Sequence, residues 1–200
     1  METKDYELDS AGKILQAATR LFAMYGYDSV SIKQIAELGG VNSALISYYY
    51  NGKKNLYLKV LNTQMEVFKT LIDTISSQDI SPLAKLLAYV NALAKFQEEN
   101  PNHVQLIYRE ILSPQPMFEN FVKSKLYILH TFMKDLIAEA IKKGELSTPI
   151  PPTYVAFTIE GIILYYFLMH KEVRELAEFS PGEEYQYLDQ ALQTYLESLQ

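Results

Sequence analysis

The sequence contains no cysteine, so disulfide frameworks, thiolate metal sites and thiol nucleophiles are excluded together. Such a composition suits a reducing compartment without requiring one. There are three histidines, with no i,i+4 pair among them and no carboxylate cluster nearby, so no metal site is expected. No Gly-rich phosphate loop and no nucleophile elbow occur, which leaves an enzyme reading without support; neither catalytic residues nor a cofactor are expected. Strand-like alternation is almost absent. The most apolar stretch, Val155 to His170, contains Glu160 and falls short of the roughly 20 residues that cross a bilayer, so it reads as a buried helix and not a membrane segment. The opening METKDYELDS is polar and acidic, unlike a secretory leader, and a cytoplasmic location is expected.

What is present is an ordinary globular composition, 48% hydrophobic and 21% charged, in a chain long enough to bury a core. The formal net charge of −6 argues at first against a nucleic-acid partner, but its distribution reverses that. Between Ser10 and Asn62 six bases (Lys13, Arg20, Lys33, Lys53, Lys54 and Lys59) face two acids, Asp28 and Glu37, a local +4. Thr63 to Gln200 carries −7 and the first nine residues −3. A basic head on an acidic body suggests one end that faces DNA.

Helical spacing runs throughout. Ile14, Leu15, Ala18, Leu21 and Phe22 share one face of a first helix, which Gly26 ends. Ser31 and Gln34 form a capping box for a second helix from Ile32 to about Leu38. Gly39-Gly40 is a turn, and Asn42 caps a third helix to about Tyr49. After Asn51-Gly52 a long amphipathic helix runs from Lys53 to about Ser76. Ser81-Pro82 opens a helix to about Glu99, and Asn100-Pro101 opens a shorter one ending near Ser113. Further helices end at Lys142-Lys143-Gly144 and, starting from Pro151-Pro152, at about Val173; Ser180-Pro181-Gly182-Glu183 repeats the capping pattern before a last helix. The expectation is an all-α fold of about nine helices: a helix-turn-helix head over 1–52 (core 10–52) and a helical ligand-binding and dimerisation body over 53–200.

Two short helices joined by a Gly turn after an amphipathic helix form a helix-turn-helix. Ala36 is small where the helices cross, Gly40 permits the turn, and Val41 and Ile46 plug the crossing against Leu21 and Phe22. The third helix would then lie in a major groove. The run SIKQIAELGGVNSALISYYYNGKKNLYLKV resembles the DNA-binding signature of TetR-family regulators: an I-A-x-x-x-G-V turn, a short recognition helix, an aromatic pair and a Lys opening the fourth helix. The likeness covers about Ser10 to Leu61, with Ser47 standing where many members have Tyr. The segment REILSPQPMFENFV resembles the CecR-type subgroup.

That resemblance implies base-facing roles for Asn42, Ser43, Ala44, Ser47 and Tyr48. Lys33 and Tyr49 would touch flanking phosphates, and Lys53, with the N-terminus of its helix, a further phosphate. Lys54 is a second phosphate candidate or a solvated charge, and Tyr50 reads as packing on the fourth helix. The resemblance also implies a repressor released from a palindromic operator by a small, largely apolar effector, and a homodimer through the last two helices. Those helices are rich in Tyr154, Phe157, Ile162, Tyr165, Tyr166 and Leu168, then Tyr185, Leu188, Leu192, Tyr195 and Leu196. For the effector, polar His103, Arg109, Glu110, His130 and Glu160 stand amid apolar runs with Tyr89, Phe96, Ile107, Phe121, Tyr127 and Tyr166, a mixture suited to an apolar cavity with orienting polar groups. Arg109 and Glu110 are adjacent and point different ways on a helix.

Overall fold

Caps and apolar spacing divide the chain into helices, and the structure, a computed structural model, describes residues 9–113, 115, 117–176, 180 and 183–200, without the side chains at 101, 103, 104, 121, 169–174, 184 and 185. Among the described residues there are nine helices and no strand: α1 (Ser10–Ser29), α2 (Ile32–Leu38), α3 (Ala44–Tyr50), α4 (Lys53–Ser76), α5 (Pro82–Glu99), α6 (Pro101–Leu112), α7 (Glu119–Lys142), α8 (Pro152–Leu176) and α9 (Glu183–Glu197). The class is all-α, as expected. Among them no helix is long and apolar enough to cross a membrane.

The local signals act at close range. Asp9 caps α1, its Oδ1 accepting from the Gly12 amide at 2.7 Å. The Ser31–Gln34 capping box is complete in both directions. Asn42 does cap α3, but from one residue further out than a standard cap: its Oδ1 accepts from the Ala44 amide at 2.9 Å, and Ser43 intervenes. Gly26 breaks α1 without ending it. Its φ of 78° interrupts the helix, which resumes for a last turn to Ser29. A Cβ at this position would also lie 3.0 Å from the Arg109 guanidinium, so glycine serves both the backbone and its neighbour.

The chain forms two compact units, Met1–Glu66 with Asn100–Glu119, and Val67–Glu99 with Asn120–Gln200. The first takes in more than the 1–52 head drawn from the sequence, because it includes the start of α4 and all of α6. Its core joins Ile14, Ala18 and Phe22 of α1 to Ile35 of α2, Ile46 of α3, Leu56, Tyr57 and Val60 of α4, and Leu106 of α6. Tyr57 stands edge-on to Phe22 at 4.8 Å between centroids, and Phe118 packs on Tyr57 at 4.9 Å and on Tyr27 at 5.6 Å. Edge-on aromatic pairs of this kind add stability beyond their buried area.

The second unit buries Leu86, Tyr89 and Val90 of α5, Met133, Leu136 and Ile137 of α7, Val155, Ile159 and Ile163 of α8, and Leu188, Leu192 and Leu196 of α9. Glu145 closes the start of α5, accepting from the Ser81 hydroxyl at 2.9 Å and the Leu83 amide at 3.1 Å. The apolar residues read on α9 thus serve the chain's own core.

Candidate nucleic-acid interface

Helix α3 is oriented by what it buries. Ile46 is fully buried, and the Tyr50 hydroxyl donates to the Ala11 carbonyl at 2.8 Å. Tyr50 is therefore a packing residue, but its anchor is α1 and not α4. With positions 46 and 50 inward, helical periodicity turns 44, 47 and 48 outward. Asn42, Ser43, Ala44, Ser47, Tyr48 and Tyr49 are all exposed; Tyr48 is 79% exposed and meets the Tyr49 ring edge-on at 5.0 Å. The turn before α3 depends on Gly40 at φ 62°, and at Gly39 a Cβ would crowd the Lys13 carbonyl of α1 at 3.3 Å.

Lys33 on α2 and Lys54 on α4 are exposed. Lys53 is half-buried, with its Nζ 4.3 Å from the centre of the Tyr27 ring, a cation–π arrangement. Burial pulls its pKa below the ordinary lysine value, with Asp28 opposing. Tyr27 is an aiming device for this ammonium that the sequence reading missed.

Helix α6 is fastened to both its neighbours in the first unit. Arg109 donates through Nη2 to the Ala23 and Met24 carbonyls, at 3.2 and 3.3 Å, where Gly26 breaks α1. Glu110, 2% exposed, accepts from the Tyr57 hydroxyl of α4 and from the Gln115 amide at 3.3 Å. Gln115 Nε2 in turn donates to Asp28 at 2.9 Å. The adjacent Arg109 and Glu110 do point apart, each to a different helix. The Tyr57–Glu110 pair was not foreseen; its one sequence signal is Glu110 lying four residues after Leu106, on the apolar face of α6.

In the second unit, His130 Nδ1 lies 2.9 Å from Glu160 Oε1, and its ring stacks on Phe157 at 4.4 Å. Burial raises the Glu160 carboxyl, while the His130 hydrogen bond opposes the shift. Tyr89 is fully buried, packs edge-on to Phe132 at 5.1 Å, and its hydroxyl has no hydrogen-bond partner. Burial, then the Glu160 charge, pushes that phenol up. Such a donor is costly to leave unpaired.

The other effector candidates scatter. Phe96 pairs with Phe68 at 6.5 Å, Tyr127 is exposed, and Tyr166 is buried against Phe167 at 5.2 Å. Ile107 and Arg109 belong to the first unit, where the Arg109 guanidinium holds α1. The His103 and Phe121 side chains lie outside the described residues. Among the described residues no group of three or more His, Asp or Glu could hold a metal ion.

Two family models match this chain: residues 14–60 match the bacterial regulatory proteins of the tetR family, and residues 71–199 match the C-terminal domain of the HTH-type transcriptional dual regulator CecR. The chain belongs to the TetR family of transcriptional regulators. The HTH-type transcriptional regulator RutR of Escherichia coli (strain K12) is 29% identical over 153 residues, 76% of this chain and 71% of the relative. A putative fatty acid metabolism regulator of Clostridium perfringens superposes with a TM-score of 0.78 at 18% identity, covering 94% of this chain and 98% of that one. AibR, solved in complex with isovaleryl coenzyme A and operator DNA, gives 0.75 at 19% identity over 92% and 98% of the two chains. These two likenesses are of fold. TetR-family members bind DNA through the region that here comprises α1 to the start of α4, and the relatives are regulators, not enzymes.

Proposed function

We propose that this TetR-family chain is a cytoplasmic homodimeric repressor that leaves a palindromic operator when a small, largely apolar molecule enters its body. The observation that carries the effector reading is the buried, unpartnered Tyr89 hydroxyl beside the partly buried His130–Glu160 pair, polar groups set among apolar helices as a ligand would need. AibR, bound to both a small molecule and DNA, is a fold relative in which the two kinds of ligand occur together. In the head, Asn42, Ser43, Ala44, Ser47 and Tyr48 would meet base edges, and Lys33, Tyr49, Lys53 and Lys54 phosphates.

Dimerisation is supported by α8. Tyr154, Phe157, Tyr165 and Leu168 are exposed large side chains at positions i, i+3, i+11 and i+14, one stripe along the helix, and in its middle a Cβ on Gly161 would meet nothing within 4 Å. An exposed aromatic stripe with a glycine window fits a second helix approaching closely. A dimer would set two heads about 34–36 Å apart, one turn of the duplex. Because α4 begins at the phosphate candidate Lys53 and continues into the second unit, a ligand favouring another tilt of α4 would move the heads out of register.

The test is fluorescence anisotropy with the palindrome flanking the gene, before and after adding a compound selected for raising the melting temperature. Saturating compound should weaken operator binding about tenfold or more, a coupling of about 1.4 kcal/mol, and His130→Ala should remove the response. Unchanged operator affinity at saturation would refute the mechanism. Lys53→Ala should weaken all sequences alike and lower the salt slope by about one.

A further inference from the structure

A recess of about 840 Å³ opens in the first unit, lined by residues of α1, the end of α2, α4 and the start of α6. Its charge is of one sign. Lys13 and Arg20 of α1 line it, and no Asp or Glu is among its lining residues, in a chain whose net charge is −6. Gln64 of α4 also lines it; this residue is 2% exposed, and its buried Oε1 has no hydrogen-bond partner. Asn100 and Asn102 place the α6 N-terminus at the same recess, and α6 starts with proline in its first turn and without a side-chain cap. A helix start of this kind favours an anion.

These features call for different things from one ligand. The two bases and the helix start suit a phosphate, but a phosphate has no donor for the Gln64 carbonyl. A hydroxyl does. We propose that the recess is a second ligand site, in the DNA-binding unit itself, that takes a hydroxyl-bearing phosphate of sugar-phosphate size. Its phosphate lies toward Lys13, Arg20 and the α6 N-terminus, and a hydroxyl donates to Gln64 Oε1. The volume is within the range of small-molecule sites. Because α1, α4 and α6 all line the recess, occupancy joins them and stabilises the head as a unit.

The full-length protein is titrated calorimetrically with glycerol 3-phosphate, ribose 5-phosphate and glucose 6-phosphate, and with inorganic phosphate and ribose as partial probes. At least one sugar phosphate should bind about tenfold more tightly than inorganic phosphate, ribose alone should give no heat, and Gln64→Leu and Arg20→Gln should each weaken binding about tenfold. Gln64→Leu exchanges an unpaired buried acceptor for an apolar side chain and is expected to keep or raise the melting temperature; Arg20 is exposed, so its replacement tests the site without touching the core. Silence of all three sugar phosphates at about 10 mM overturns the proposal. So does binding no tighter than inorganic phosphate and indifferent to Gln64→Leu, which marks an adventitious ion only. Displacement by an unrelated DNA duplex also overturns it, since the bases would then belong to the DNA surface.

Discussion

Replacing Tyr57 by phenylalanine removes one oxygen from the core of the first unit and leaves the ring in place. Tyr57 is fully buried, so Tyr57→Phe opens no cavity larger than the lost atom. What changes is Glu110, whose Oε1 loses the Tyr57 donor and whose Oε2 keeps only the longer bond from the Gln115 amide, at 3.3 Å. A hydrogen bond to a charged group contributes about 1.5–3 kcal/mol, and a buried acceptor left unpaired bears its desolvation cost. The expected loss is about 2 kcal/mol, or roughly 4–8 °C in melting temperature for a chain of this size. Urea unfolding followed by circular dichroism measures it, and a cycle with Glu110→Gln isolates the pair. If Tyr57→Phe lay within about 0.5 kcal/mol of wild type, with coupling near zero, the assignment of this bond as a fastening between α4 and α6 would be wrong.

Alkaline stability gives a second reading of the same residue. Burial, then the Glu110 hydrogen bond and charge, raises the Tyr57 phenol above its ordinary value. The folded state therefore keeps a proton that the unfolded chain loses above about pH 10, so this stabilisation is present below that pH and is lost as pH rises; in Tyr57→Phe the fall above pH 10 should be shallower, and an unchanged slope would count against it. Gly40→Ala forces a side chain into a left-handed position, φ 62°, and should cost about 1–2 kcal/mol, which thermal melts would detect; an unaltered melting temperature would contradict the turn geometry. Gly161→Leu should leave the monomer folded, since nothing lies within 4 Å of the added Cβ, while shifting sedimentation from dimer to monomer. A variant still fully dimeric would remove α8 from the interface.

The head was legible because its signals are local. Ser31 and Gln34 are three residues apart, Gly40 sits at the turn it makes, and Ile46 sets the outward face of α3 by helical period alone. Even the misplacements were small: Gly26 interrupts α1 where an end was expected, and α3 starts one residue later than its capping Asn42 would suggest. What periodicity could not show was pairing across distance. Arg109 reaches carbonyls 85 and 86 residues away in sequence, and Tyr57 meets Glu110 across 53; nothing local distinguishes such partners from solvated side chains. In the body the same limit applies. Of the effector candidates, the structure pairs His130 with Glu160, because that contact depends on which turns of α7 and α8 face each other, while Arg109 looked like a pocket residue and is a fastening of α6 to α1.

That fastening bears on how this molecule can be taken apart. The compact unit around the helix-turn-helix is assembled from two stretches of chain, with residues 67–99 between them. A fragment cut at the end of α3, or even midway along α4, would leave Phe22 and Tyr57 without Leu106 and Phe118 over them, and the α1 carbonyls without Arg109. Chimeras that transplant the head onto the body of a relative would meet the same fault if joined at one point. A graft that carries α6 along with the first four helices keeps the seam closed.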